Sequence, residues 1–571
     1  CREESRHGTH ECVRHVRRQD LTMPSAWKVL PRGPKIPVLA AIALLLVCLV
    51  YFYRLDAAGM LGPDEPRYAS IGREMANSGD WVTPRLWGQP WFEKPALLYW
   101  MTGAAFRLGL GPDLASRLPM ALFSFAFLVF FWWLLRREFG GSVAWLATLI
   151  LATSAEWIGF SQVGATDLPM AAAFTAALLL ALPWVARGET RGLTAAGALF
   201  GLAVLAKGLV PLALAAPLVW PAWKHRNSLA RALPRLVLPF AAVSLPWYGL
   251  CYLRNGRAFL MDFFVKQHFA RLATDALQHR EAWWFYLPVL AGALLPWAPL
   301  VVAAIRRGFY RDPRRLFLLL VVLWGLLLFS VAVNKLPGYV LPLIPACAIL
   351  MALGVEATAA APEHATSAQA RKRQAPAEVQ PARAEDSSPR REPWEDRQLQ
   401  EPRNRAKEKP PAKSLSARIP LLLALSALLL VSFPIAGRML PGALLAGLSR
   451  TPLPTFSWIW LIPLPLAAAA WVLARRQRRL AAVACVACGA ALGVLYLKRD
   501  VMPEVDRVAS ARPLWRRFSA QADRACVEPI QRSFRYGLNY YSVVPLPDCP
   551  AAGRNLHIFQ APGHPPEIEV R

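Results

Sequence analysis

Six side chains able to hold charge or donate hydrogen bonds, Asp64, Glu65, Arg67, Tyr68, Glu93 and Lys94, crowd into one short stretch, within GPDEPRYA at 62–69 and FEKP at 92–95. Cations in that pattern can clasp an anion such as a phosphate, while a neighbouring carboxylate orients or deprotonates an attacking group. Tyr68 adds a ring for stacking and a hydroxyl for hydrogen bonding. The same residues also suit helix starts. Asp64 ahead of PRYASIGREM is a good first-turn acid and Pro66 a good first-turn residue. Glu93 before LLYWMTGAAF complements the helix dipole, and Lys94 can snorkel to an interface. From these residues alone both readings stand.

Further polar residues interrupt apolar runs: Asp167 in VGATDLPMAAAF, Lys207 in VLAKGLVP, His268 in FFVKQHFARL, and Lys335 with Tyr339 in NKLPGYVLP. An ionisable group in an apolar span is costly and by default points to a partner or a site, although capping and snorkelling are the simpler explanations for Asp167 and Lys207. His268 with Glu93 would form a partial divalent-metal pair, for Zn or Mg, against the alternative of an ordinary hydrogen-bonded histidine. Of nine cysteines, most lie in or beside apolar runs, where a thiol serves as a small apolar side chain. Cys526 and Cys549 are the pair in the C-terminal tail, and an oxidising compartment would join them.

The elements that must position these groups are membrane helices. The chain has 571 residues, 55% of them hydrophobic, with 22 Trp, and the apolar residues gather in long runs. A formal charge of +28 raises nucleic acid as a partner, but Lys and Arg lie in short tracts between apolar spans, without a basic groove or zinc spacing. Crossing about 30 Å of hydrocarbon takes about 20 apolar residues. Thirteen runs are candidates: 35–53, 115–135, 141–160, 165–186, 192–208, 209–222, 234–253, 283–305, 315–333, 337–354, 419–437, 456–474 and 480–497.

With an inside start, every strongly basic short loop, including RRQRR at 475–479, falls on the cytoplasmic side. The loop 54–94, the turn at 335–339, the segment around His268 and the tail then share the outer side. The expected fold class is an all-α polytopic membrane protein of about thirteen transmembrane helices with a small α/β periplasmic C-terminal domain at 501–571. Residues 35–355 form a transmembrane catalytic domain and 418–500 the last three helices. Residues 356–417, rich in Ala, Pro, Glu, Arg and Lys, read as a disordered cytoplasmic linker. Residues 1–34 form an N-terminal cytoplasmic segment, in which Met23 is the expected start.

Taken in order, the stretch from Gly62 to Trp100 together with ATDLPM, LAKG, QHFAR and KLPGYVLPLIP resembles the GT-C membrane glycosyltransferases. Within them it resembles the aminoarabinose lipid A transferases and, more distantly, the protein O-mannosyltransferases of family 39. The resemblance implies a polyprenyl-phosphate sugar donor, usually undecaprenyl-phosphate. It also implies inversion at the anomeric carbon without a nucleotide, and an active site facing the periplasm from a multi-pass inner membrane protein. It implies catalytic roles for Asp64 and Asp167, donor-phosphate binding by Arg67, Lys94 and Lys207, and a substrate lining of Glu65, Tyr68, Lys335 and Tyr339. Lipid A or another envelope molecule is the implied acceptor, with membrane lipids around the protein. The sequence departs from the aminoarabinose transferases in its linker of about 60 residues and its short tail, which leaves the acceptor open. A protein O-mannosyltransferase-like enzyme, or a polyprenyl-lipid transporter or flippase whose charges line a polar path, are the competing readings.

Overall fold

A computed structural model describes residues 36–270, 281–306, 308–357, 417–549 and 553–571. The expectations for residues 1–34 and for nearly all of the linker lie outside the described residues, as does the side chain of His268.

Eight helices among the described residues are long and apolar enough to cross a membrane. They are Pro112–Phe139, Asp167–Arg187, Arg226–Gln267, Pro313–Val331, Pro337–Ala357, Ile419–Ala446, Trp458–Arg475 and Arg479–Ala509. Two bent pairs, Gly141–Ala152 with Ala155–Ser161 and Tyr286–Ala293 with Ala298–Ala304, raise the number to ten if each is one span. The 17-residue helix α1 (Ile36–Phe52) and the apolar Leu193–Lys207 fall on two more of the expected runs. The run expected at 209–222 is instead broken into helical pieces of five, three and six residues. Pro211, Pro217 and Pro221 explain the breaks, because a proline removes a backbone donor and crowds the preceding turn. The chain is a multi-pass membrane protein, and among the described residues eight helices, or ten with each bent pair taken as one span, meet the length and composition of a crossing, against the thirteen runs expected.

Helix α2 (Asp64–Ser78) follows the first apolar helix. Its first turn carries Asp64 and Glu65, which suit the positive end of the helix dipole, and it stops at Gly79 in the left-handed region (φ 74°), where glycine has no Cβ to clash. Its inner face lies on α3 (Leu97–Arg107). The contact is close because Gly72 meets Gly103: a Cβ on Gly72 would stand 2.7 Å from the Thr102 Cβ, and one on Gly103 would stand 2.9 Å from the Gly72 carbonyl oxygen. Between the two helices a two-stranded hairpin pairs β1 (Arg85–Leu86) with β2 (Gln89–Pro90), turning at Trp87 and Gly88.

The turn that enters this hairpin, residues 80–83, is braced by the long helix α4 (Leu229–Leu260). Trp247 Nε1 donates to the Val82 carbonyl at 3.0 Å, Asn255 Nδ2 to Thr83 Oγ1 at 3.0 Å, and Arg254 Nη1 to Asp80 Oδ1 at 2.8 Å. Two Asp80-accepted backbone bonds, from Val82 and Thr83, fold the turn locally. Burial works against the Asp80 carboxylate, but those donors with Arg254 and Arg85 hold its pKa below the ordinary range.

The main core joins helices from both halves of the chain, with Tyr51, Tyr99, Phe131, Trp157, Phe174 and Trp297 fully buried. A second, smaller core lies in the C-terminal segment. There β3 (Ala525–Val527) pairs parallel with β4 (Leu556–Phe559), which pairs antiparallel with β5 (Glu567–Val570). Parallel neighbours need a crossover, and the helix α5 (Arg532–Tyr541) supplies it. Cys526 and Cys549 are joined as a disulfide.

This α/β unit is docked on the outside of α2. Arg512 donates to Asp113 at 2.7 Å and to the Asp56 carbonyl at 2.9 Å, and pairs with Asp506 at 2.9 Å. Tyr541 Oη donates to Asp113 at 2.6 Å and accepts from the Met60 amide at 3.0 Å, while Arg73 reaches the Tyr540 carbonyl at 2.7 Å.

Candidate active site

The first group is organised around Arg67, in the first turn of α2. Its Nε donates to the Pro63 carbonyl at 3.0 Å, which orients the guanidinium along the start of the helix. Nη1 donates to Glu93 Oε2 at 2.9 Å, and Nη2 bonds Asp64 Oδ1. Trp91 Nε1 also donates to Glu93 Oε2, at 3.2 Å, and Lys94 Nζ lies 3.7 Å from Glu93 Oε1. The guanidinium faces the rings of Tyr68, Trp91 and Tyr536 at 5.9, 5.8 and 5.1 Å. Burial alone would lower the Arg67 pKa, but Glu93 and Asp64 outweigh it and hold it above its ordinary value. Within this cluster Asp64 is the open member, its side chain 58% exposed against 9% for Arg67.

The second group joins Asp167, at the start of α6 (Asp167–Arg187), to Lys207, the last residue of α7 (Leu193–Lys207). These two helices pack extensively on each other, so an acid at one's N-terminus meets a base at the other's C-terminus, each complementing its helix dipole. Lys207 Nζ bonds Asp167 Oδ1 and stands 5.1 Å from the Tyr339 ring.

A buried scaffold ties the two groups together. Glu65 Oε1 and Oε2 accept from Arg117 Nε and Nη2, both at 2.7 Å, and Arg117 also donates to the carbonyls of Leu55 and Gly59. Glu65 further accepts from the amides of Leu61 at 3.0 Å and Gly164 at 3.2 Å. Asp64 is therefore the residue next to this junction, and Asp167 lies three residues beyond Gly164, at most about 11 Å of extended chain.

Several sequence expectations change here. Glu65, read as substrate-lining, has a side chain with no exposure and both oxygens engaged by the protein. Tyr68, given the same role, is 3% exposed and packs 6.0 Å from Tyr99, because the residue after Arg67 points to the α3 side of the helix. Burial, with Glu93 and Asp64 nearby, pushes its phenol well above the ordinary pKa, so it stays protonated. Lys335, also read as lining, is 7% exposed and donates to the Ala332 carbonyl at 2.9 Å. Tyr339 does join the Asp167–Lys207 group.

Glu93, expected to share a metal with His268, accepts from Arg67 and Trp91 and sits beside Lys94. Glu93 Oε2 is the oxygen engaged by Arg67 and Trp91, while Oε1 faces Lys94 Nζ at 3.7 Å, and the His268 half of the expected pair lies outside the described side chains. Among the described residues one trio of metal-type ligands clusters, Cys526, Cys549 and His557, and its two sulfurs are in the disulfide.

Four residues of the site were missed. Arg117 carried a signal, a cation at the head of an apolar run. Trp91 lay within the FEKP neighbourhood. Glu156, whose Oε1 is buried without a hydrogen-bond partner among the described residues, is within electrostatic reach of Asp167 and Lys207. Tyr536 had no signal, being 469 residues from Arg67 in sequence.

A family model described as dolichyl-phosphate-mannose-protein mannosyltransferase matches residues 93–248. The chain is 33% identical over 342 residues to an undecaprenyl phosphate-alpha-4-amino-4-deoxy-L-arabinose arabinosyl transferase of Serratia proteamaculans, covering 56% of this chain and 60% of that protein. It is 35% identical over 321 residues to the protein of that name from Edwardsiella ictaluri, covering 54% and 58%. The chain thus spans about 60% of the length of the curated relatives it matches. The crystal structure of ArnT from Cupriavidus metallidurans bound to undecaprenyl phosphate superposes with a TM-score of 0.64 at 24% identity, covering 92% of this chain and 86% of that one. Over 92% of its length the chain has the fold of that ArnT structure.

Proposed function

We propose that the chain is an inverting membrane glycosyltransferase that moves a sugar, aminoarabinose-like or a hexose, from undecaprenyl-phosphate to lipid A or another periplasmic acceptor. The observation that carries this reading is the pairing of one exposed carboxylate, Asp64, with a buried, strongly held guanidinium, Arg67, in the stretch that also brings in Lys94. The names of the relatives supply the substrate classes: they are undecaprenyl phosphate-aminoarabinose arabinosyl transferases.

In this reading the acceptor oxygen attacks C1 of the donor sugar in line. The C1–O bond to the carrier phosphate breaks, and its electron pair leaves on the phosphate. Arg67 and Lys94, with Lys207 across the Glu65 junction, offset the charge that develops there. Asp64 takes the proton of a hydroxyl acceptor; a phosphate acceptor is already an anion, and Asp64 then only orients it. Asp167 fixes the Lys207 ammonium. No step is assigned to a divalent metal. The active site faces the periplasm from the inner membrane, as the basic loops on the opposite side suggest.

Asp64→Asn tests the reading. Transfer of aminoarabinose from its undecaprenyl-phosphate carrier to lipid A should fall by about 100-fold or more, with insertion and thermal stability retained. A fully active variant would overturn the assignment. The match of residues 93–248 to the mannosyltransferase model favours one second reading, a protein O-mannosyltransferase-like enzyme, which mass spectrometry distinguishes by a glycoprotein rather than a glycolipid product. A transporter or flippase would show no covalent product at all.

A further inference from the structure

Beside the Arg67 group a cleft of ≈ 470 Å³ opens between α2, the hairpin turn and the C-terminal α/β unit. That size is within the range of small-ligand sites. Its α2 wall is Ser70, Arg73, Glu74, Asn77 and Ser78; Ser70, Glu74 and Asn77 continue the side of Arg67 at spacings of three and four, and Arg73 is turned to the Tyr540 carbonyl at 2.7 Å. The far wall is Val543 and Val544, which are 52% and 69% exposed. Trp87 closes the end and stacks on the Tyr536 ring at 5.8 Å, the ring that covers Arg67.

Two features of this cleft are unusual. Of four non-glycine residues in the left-handed region among the described residues, two line it: Trp87 at φ 54°, as the two-residue hairpin turn with Gly88 demands, and Val543 at φ 66°. A β-branched residue is a genuine outlier there, and such strain persists where the surrounding structure holds a surface for a purpose. The Trp87 Nε1 is moreover buried and has no hydrogen-bond partner among the described residues, a costly state for an indole donor.

We infer that this cleft is the acceptor subsite, binding the one- or two-ring sugar headgroup of a glycolipid acceptor. The inference rests on the transferase reading above and deepens it. An indole and two valines match the C–H face of a sugar ring, while the exposed Asn77 amide presents hydrogen-bonding groups to its hydroxyls and the Glu74 carboxylate, which accepts from the Gly88 amide at 3.0 Å, has lone pairs left to accept from one. Mixed polar and aliphatic lining suits a sugar better than a lipid tail, which needs no hydrogen-bonding groups. The continuous stripe to Arg67 places the bound headgroup within one helix length of Asp64.

The test uses the full chain in nanodiscs, with undecaprenyl-phosphate aminoarabinose as donor and lipid A as acceptor. Val544→Trp fills the cleft from an exposed position, and Asn77→Ala removes one polar group. Both should raise the acceptor KM, by about fivefold or more, while the donor KM stays within about twofold. Thermal stabilisation by undecaprenyl phosphate, measured on the same preparations, shows that each variant is folded and binds the carrier. If the variants bind the carrier and their acceptor KM is unchanged, the subsite is overturned and the transferase reading survives. If the wild type transfers no sugar to any acceptor, both fall together.

Discussion

A guanidinium that is 9% exposed, faces three aromatic rings and contacts two carboxylates is fixed to within one geometry, which is what recognition of a phosphate requires. The ring contributed by Tyr536 is the one part of that cage that comes from the C-terminal unit. Tyr536→Ala should therefore raise the donor KM by about 2- to 30-fold, the range of a cation–π contact, while Tyr536→Phe keeps the ring and stays near wild type. Equal loss in both variants, measured by steady-state kinetics, would assign Tyr536 to the hydroxyl instead. Glu65 sits one residue from Asp64 but has a different role. Glu65→Ala would leave Arg117 charged, buried and missing its carboxylate, at a cost of about 3–5 kcal/mol. Thermal unfolding in detergent should show that loss, and Arg117→Met on top of it should restore part of the stability. An unchanged melting temperature in the single variant would remove Glu65 from the scaffold.

At the scale of elements, the position of Asp64 depends on how closely α2 approaches α3. Gly72 and Gly103 permit that approach, and nothing larger fits without movement. Gly72→Ala should destabilise the protein by about 1–3 kcal/mol through overpacking against Thr102, and reduce transfer by shifting the Arg67 turn. Gly109→Ala differs: its added Cβ meets open space, but its φ of 81° makes it a test of backbone strain rather than of packing. A Gly72→Ala protein with wild-type melting and activity would show that α2 and α3 adjust freely. The brace from α4 through Trp247, Arg254 and Asn255 holds residues 80–83, the turn that enters the hairpin ahead of Glu93 and Lys94.

For the whole molecule, the C-terminal unit is a wall of the site rather than an appendage, clamped by Arg512 onto Asp113, Asp506 and the chain around Asp56. Its disulfide closes a separation of 23 residues, worth about 3 kcal/mol in the chain-entropy account. Cys526→Ser with Cys549→Ser should therefore loosen this unit first, seen as faster amide exchange at Arg532–Tyr541, and raise the donor KM through Tyr536. Unchanged exchange in α5 would separate the disulfide from the site.

By itself the sequence determined the membrane character, the loop that carries Asp64, Arg67, Glu93 and Lys94, the pairing of Cys526 with Cys549, and the resemblance that led to the fold. Long apolar runs and charges gathered in short motifs are local properties, and local properties survive in a linear reading. Tertiary structure alone decided which charges are open. Asp64 and Glu65 are adjacent acids in one motif, yet one is exposed and the other is enclosed by an arginine 52 residues away, because neighbouring helical positions point about 100° apart and meet different partners. It also seated Tyr536 over Arg67, which depends on which surfaces meet after folding, and no spacing along the chain encodes that.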